Sequence, residues 1–317
     1  MKTLPLHFNC CILFAFVILS SAISPLQAQG QIAGLDTNGI SFQVNSRTGE
    51  FTTDTEEAYT SFSLGGTARK GNKLYYVVVP SGSTENAIYT VDLNTDTISH
   101  VDLDRSESVR AMFFKGRKLY GIFYDGTAGS HALYRIDPSS GATTLVLDLA
   151  DLDLEPIPGA FAPFGRFYYV LAKPEADSAQ RRLLRFKAKS GSAQVFEVVD
   201  SSNNPVLCDK LKPKASKNNF VCLASNAGET QVSVCRMTLT GKATCLATLD
   251  GIERIGGGHT MLAADQKVYY AFVYAPGEPD NQRLIKFNSR GAIKSNLTLS
   301  TISIGAHFAA EPATLAP

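Results

Sequence analysis

Three residues in this chain stand where chemistry could be done. His259 lies in the run Gly257-Gly258-His259-Thr260-Met261-Leu262-Ala263, and His307 in the similar run Ile304-Gly305-Ala306-His307-Phe308-Ala309-Ala310. Arg110 takes the matching place in Val109-Arg110-Ala111-Met112-Phe113. Two imidazoles brought to one place could hold a transition metal or an anion, or move a proton. A metal would need further ligands, and Asp209 and Glu311 are the nearest candidates, although spacing fixes neither.

Other chemistry has little footing. There is no G-x-S-x-G nucleophile elbow, and serines beside glycine, as in Ser190-Gly191-Ser192, fall in turns. Glycoside hydrolysis needs two carboxylates held a few ångströms apart, a placement this sequence does not specify. The acidic stretches Asp102-Leu103-Asp104 and residues 148–155 lack EF-hand spacing and read as solvated loops. No catalytic residue is assigned.

The elements that must position these residues recur at a fixed period. Alternating apolar runs lead into a small turn and out again six times. The turns hold Gly49, Asn94-Thr95-Asp96, Gly141, Gly191, Gly241 and Gly291, and the last four glycines are spaced 50 residues apart. Period-two alternation marks strands with one buried face, and Gly, Asn and Asp supply the positive φ that tight hairpins need. Another apolar strand lies upstream of five hairpins, as in Leu119-Tyr120-Gly121-Ile122 or Phe167-Tyr168-Tyr169-Val170, with a stretch of small residues before it. Four short antiparallel strands per unit make a β-propeller blade.

The expectation is therefore an all-β, six-bladed propeller occupying residues 30–317 as one domain. The N-terminal unit lacks a first strand, and residues 303–310 offer one. Their pairing closes the ring and removes open sheet edges. It also makes neighbours of His259 and His307.

Four of the six cysteines, Cys208, Cys222, Cys235 and Cys245, fall in the fifth unit, one on each strand. Adjacent strands lie ~4.8 Å apart, and a disulfide needs Cα atoms within roughly 4.4 to 6.8 Å, so pairs that skip a strand are too distant. Pairing Cys222 with Cys235 would leave the other two on opposite edges. Cys208–Cys222 with Cys235–Cys245 is the remaining arrangement. A structural zinc site is disfavoured by the absence of CxxC spacing.

The first residues read as a secretory signal over residues 1–28. Lys2 precedes a short apolar core, residues 10–19, and small residues then allow cleavage after Ala22 or Ala28. Of 30 Lys and Arg, Lys2 leaves with the signal, so 29 basic residues face 29 acidic ones. That balance offers no general attraction for nucleic acid or membrane. The one basic tract, residues 210–217, reads as a solvated loop. Asn296-Leu297-Thr298 is the single N-glycosylation acceptor of the mature chain.

The segments Ala87-Ile88-Tyr89-Thr90-Val91-Asp92-Leu93-Asn94 and Ala132-Leu133-Tyr134-Arg135-Ile136-Asp137-Pro138-Ser139-Ser140-Gly141 resemble the repeats of secreted six-bladed propellers. That group includes the NHL, YWTD and gluconolactonase-like proteins. The gluconolactonase-like members hold a divalent metal at the channel through Glu, Asn and Asp, whereas the matching positions here carry Gly, Ala, Arg and His. The sequence thus reads as a secreted, monomeric, non-catalytic binding or matrix protein, a biomineral matrix included. Its partner would be an extracellular protein or matrix polymer, with no cofactor. The second reading is a secreted metal-dependent lactonase or hydrolase, its divalent metal at the channel mouth near His259 and His307.

Overall fold

The computed structural model describes residues 31–35, 41–45, 48, 51–53, 59–95, 97–174, 176–177, 179–187, 193–213, 218–255, 263–265, 268–277, 282–298 and 311–312. Alternating apolar residues make nearly all of it strand. An N-terminal group comprises β1 (Gln31–Leu35), β2 (Ser41–Asn45) and β3 (Phe51–Thr53). Then come β4 (Tyr59–Lys70), β5 (Lys73–Pro80), β6 (Ala87–Asp92) and β7 (Thr97–Asp102) as one antiparallel meander. The next meander is β8 (Ser108–Lys115), β9 (Lys118–Asp125), β10 (Ser130–Ile136) and β11 (Thr143–Asp148). It is followed by β12 (Leu154–Phe164), β13 (Phe167–Pro174), β14 (Arg182–Phe186) and β15 (Ala193–Glu197). The cysteine-bearing meander is β16 (Leu207–Pro213), β17 (Asn219–Ser225), β18 (Val232–Thr238) and β19 (Ala243–Thr248). The last has β20 (Arg254–Ile255) and β21 (Ala263–Asp265) both against β22 (Val268–Tyr274), then β23 (Gln282–Asn288) and β24 (Ile293–Thr298).

These meanders are the blades of a β-propeller. The expected six blades become five built from consecutive strands. The N-terminal group has only three strands in sequence and takes its fourth from β25 (Glu311–Pro312), giving the order β25-β1-β2-β3. That strand differs from the expected one. Ile32 faces Pro312 and Ala33 faces Glu311, while residues 303–310 lie outside the described residues. Pro312 brings no N–H to the ladder, so the pairing is short.

Blades pack face to face through their apolar columns. Phe113, Tyr120 and Ile122 of the β8–β11 blade meet Phe161, Tyr168 and Val170 of its neighbour in one cluster. Tyr169, Leu171 and Leu183 meet Phe220, Cys222 and Met237 in the next. The turn glycines make that approach possible. Gly141 and Gly241 have φ of 73° and 82°, and a Cβ there would overlap the carbonyl oxygens of Asp102 and Glu197, on the outer strands of the preceding blades. At these two positions the repeated glycine marks a backbone contact between blades as well as a turn.

Cys208 bonds to Cys222 across β16 and β17, and Cys235 to Cys245 across β18 and β19, with Cα separations of 5.9 Å and 3.8 Å. Strand order led to the same pairs. Among the described residues no helix is long and apolar enough to cross a membrane.

Candidate functional site

The innermost strands share an irregularity that period-two reading does not show. Each of β4, β8, β12 and β16 breaks register with the next strand. The breaks fall between Phe62 and Thr67, Val109 and Ala111, Pro156 and Phe161, and Cys208 and Lys210. In β8 and β16 the extra residue is Arg110 and Asp209 respectively. A bulge leaves its residue outside the ladder and re-aims its side chain. In β4 and β12 the bulged stretches contain Gly65 and Gly159, with φ of 81° and 70°. A Cβ on Gly65 would collide with the Arg110 carbonyl oxygen and crowd the Gly159 amide, so three inner strands touch at the axis.

Arg110 is the one channel candidate from the sequence that falls among the described residues. Its guanidinium lies 3.4 Å from Glu155 Oε1 at the start of β12, and Glu155 Oε2 lies 2.7 Å from Lys173 Nζ on β13. The guanidinium also sits 5.0 Å over the Tyr124 ring. One blade boundary further on, Arg181 Nε and Nη2 reach Asp209 Oδ1 at 2.9 Å and 2.8 Å. Asp209, considered above as a metal ligand, is thus committed to an arginine. His259 and His307 lie outside the described residues, and so do residues 1–28. Among the described residues no group of three or more His, Cys, Asp or Glu could hold a metal ion. Glu311 belongs to β25. Asn296 is exposed on β24, where a glycan has room.

The basic tract is not a solvated loop at its start. Residues 207–213 form an innermost strand, in which Lys210 is only 3% exposed and its Nζ lies 3.4 Å from the Pro158 carbonyl oxygen. Burial pulls its pKa down to about 8, and the neighbouring Asp209 charge works against that shift. Lys212 is half-buried with its ammonium 5.5 Å over the Phe161 ring. Apolar neighbours made the tract a strand, although its charges pointed to solvent.

Beside Arg110 opens a cleft of about 440 Å³. Tyr124 and the β9–β10 loop residues Gly126 to Gly129 form one wall, and Glu155, Lys173 and Pro174 the other. A second, smaller cavity of about 170 Å³ lies on the opposite side of the same loop and contains His131. Sequence reading missed Glu155, Lys173, Arg181 and His131. Their one legible signal is position, because each stands at a strand end where the apolar alternation stops.

This inner-strand rim belongs to a β-propeller, and the chain belongs to the family described as "Repeat of unknown function (DUF6923)", whose model matches residues 22–205. No curated protein matches the sequence. Among solved structures, a chain of the nidogen/laminin complex is similar, with 9% identity, 90% of this chain and 99% of that one covered, and a TM-score of 0.60. A putative 6-phosphogluconolactonase from Bacteroides fragilis is similar with 11% identity, the same two coverages and a TM-score of 0.50. These likenesses carry the fold alone.

Proposed function

We propose that the chain is a secreted, non-catalytic propeller that binds an anionic extracellular matrix polymer at this rim. The observation that carries the reading is the cleft beside Arg110, where the Arg110 guanidinium and the Lys173 ammonium of the cleft wall stand as two cations against the one carboxylate of Glu155. Whole-chain charge is balanced, so attraction would be local and would weaken with salt. Cross-blade pairing supports binding over turnover, since Arg110, Glu155 and Lys173 hold one another in place and Arg181 and Asp209 do the same at the next blade boundary. The disulfides fit an oxidising compartment and the leader-like N-terminus. The composite sheet β25-β1-β2-β3 would close the ring between the two chain ends.

The test is equilibrium binding of the purified protein to a sulfated polysaccharide, with metal analysis of the same preparation. Saturable binding that weakens as salt rises is expected. A stoichiometric divalent metal with lactone turnover, lost in His259→Ala, would overturn the reading in favour of a metal-dependent enzyme.

A further inference from the structure

The two disulfides sit in unlike surroundings. Cys208, Cys222 and Cys235 are each 0% exposed and belong to one apolar cluster. Cys245 is exposed, and so are Thr244 and Leu246 on either side of it. The strand order β16-β17-β18-β19 explains the contrast, because β19 is the outer edge of its sheet. Cys208–Cys222 joins the two inner strands, whereas Cys235–Cys245 ties the outermost strand to the rest.

Thiol–disulfide exchange depends on which sulfur a thiolate can reach. The thiolate attacks in line with the S–S bond, from the side opposite the sulfur that leaves. For Cys222 that side is taken by Cys235, which faces it across β17 and β18. Cys208 shares its cluster with Ile157 and Ala160 of β12, in the preceding blade. Cys235 stands between Cys222 and Cys245, in register with both. Beyond Cys245, among the described residues, no further strand is paired, so the line of attack runs off the sheet edge. The blade itself shields three of the four cysteines and leaves this one open.

We propose that Cys245 is a site of reversible modification by a low-molecular-weight thiol. The incoming thiol gives up its proton and its sulfur bonds to Cys245 Sγ. The Cys235–Cys245 bond breaks as that bond forms, and its electron pair leaves with Cys235 Sγ. The small thiol is thereby oxidised into a mixed disulfide and Cys235 is reduced. Cys235 takes up a proton, since its buried apolar surroundings favour the thiol over the thiolate. The same burial makes Cys235 a reluctant leaving group, so the adduct builds up only with the small thiol in excess. Once that excess is removed, Cys235 still faces Cys245 across the ladder and attacks the adduct to restore the bond. Exchange therefore frees β19 from its covalent tie while Cys208–Cys222 still holds β16 to β17. The site is separate from the rim cleft and stands whatever partner that cleft takes.

The test incubates the native full-length protein with excess reduced glutathione at about pH 8, where a free thiol is partly ionised. Samples are quenched with acid at intervals, alkylated in denaturant and mapped by peptide mass spectrometry. Tryptic cleavage after Arg236 and Lys242 puts Cys235 and Cys245 on separate peptides. Glutathione is expected on Cys245, with Cys235 alkylated. Cys235–Cys245 should open at least about tenfold faster than Cys208–Cys222. Hydrogen exchange of the modified protein should rise in β19 and stay unchanged in β16. Glutathione on Cys208, Cys222 or Cys235 instead, the two bonds opening at one rate, or both staying closed overturns the proposal. Wild-type protein decides every arm, so no outcome depends on whether a variant folds.

Discussion

At the residue scale, buried titratable groups on the rim have consequences for stability. Burial holds the His131 pKa near 4, with Asp148 pulling the other way. Asp125 and Glu107 also carry negative charge into the same cavity, and Arg105 positive charge. An unfolded histidine titrates near ~6.5. Between these values the unfolded chain binds the extra proton, so stability falls as pH drops through that window, by up to about 3 kcal/mol from this group. Urea unfolding from pH 7 to pH 4 in wild type and His131→Gln isolates it from the carboxylates. The variant should lose less stability on acidification; equal losses would remove the claim. Arg181→Met leaves Asp209 half-buried beside Lys210, without the guanidinium whose Nε and Nη2 both reach its Oδ1. A loss of about 1–3 kcal/mol is expected by thermal unfolding, with Arg181→Lys recovering only part of it. Arg110 was legible in the sequence because it falls in the column shared by the first strands. Glu155 and Lys173 were not, since they reach it across a blade boundary from strand ends that carry no periodic signal.

At the element scale, the hairpin turns and disulfides were readable and the bulges were not. A turn glycine repeats at fixed spacing, whereas a bulge adds one residue, as at Arg110 and Asp209, or several, as around Gly65 and Gly159. Strand patterns tolerate such insertions without losing their apolar residues, so composition does not betray them. The same limit explains the lysine tract, where burial of Cys208 and Leu211, both 0% exposed, prevailed over charge. Gly141→Ala should cost about 2–4 kcal/mol, because it forces positive φ and a contact with Asp102 together. Thermal unfolding measures it, and Gly71→Ala is the comparison, since its φ is 60° but nothing lies within 4 Å of its Cβ position. A similar cost at both sites would mean that backbone conformation alone, without the inter-blade contact, explains the spacing. Removing the Cys208–Cys222 bond as the double serine variant should cost about 2–5 kcal/mol. Hydrogen exchange should then rise first in β16 and β17; uniform exchange across all blades would contradict a local staple.

At the scale of the molecule, a repeat settles architecture far better than activity. Each blade buries its faces against two neighbours, so the apolar columns had to recur and could be counted. The columns pointed to residues 303–310 as the closing strand, whereas the described pairing to β1 is made by β25, and they left open what the rim attracts. Whole-chain charge is nearly neutral, and only the fold sets Arg110 and Lys173 together against Glu155 at one cleft. This local positive charge should bind an anionic polymer. The most direct test is retention on an immobilised sulfated polysaccharide, read as the salt concentration needed for elution. Lys173→Glu lines the cleft, and Lys118→Glu, exposed at the β8–β9 turn, makes the same change of net charge elsewhere. Lys173→Glu should elute much earlier than wild type, and Lys118→Glu nearly unchanged. Equal shifts in the two variants, or no retention of the wild type, would contradict binding at this cleft.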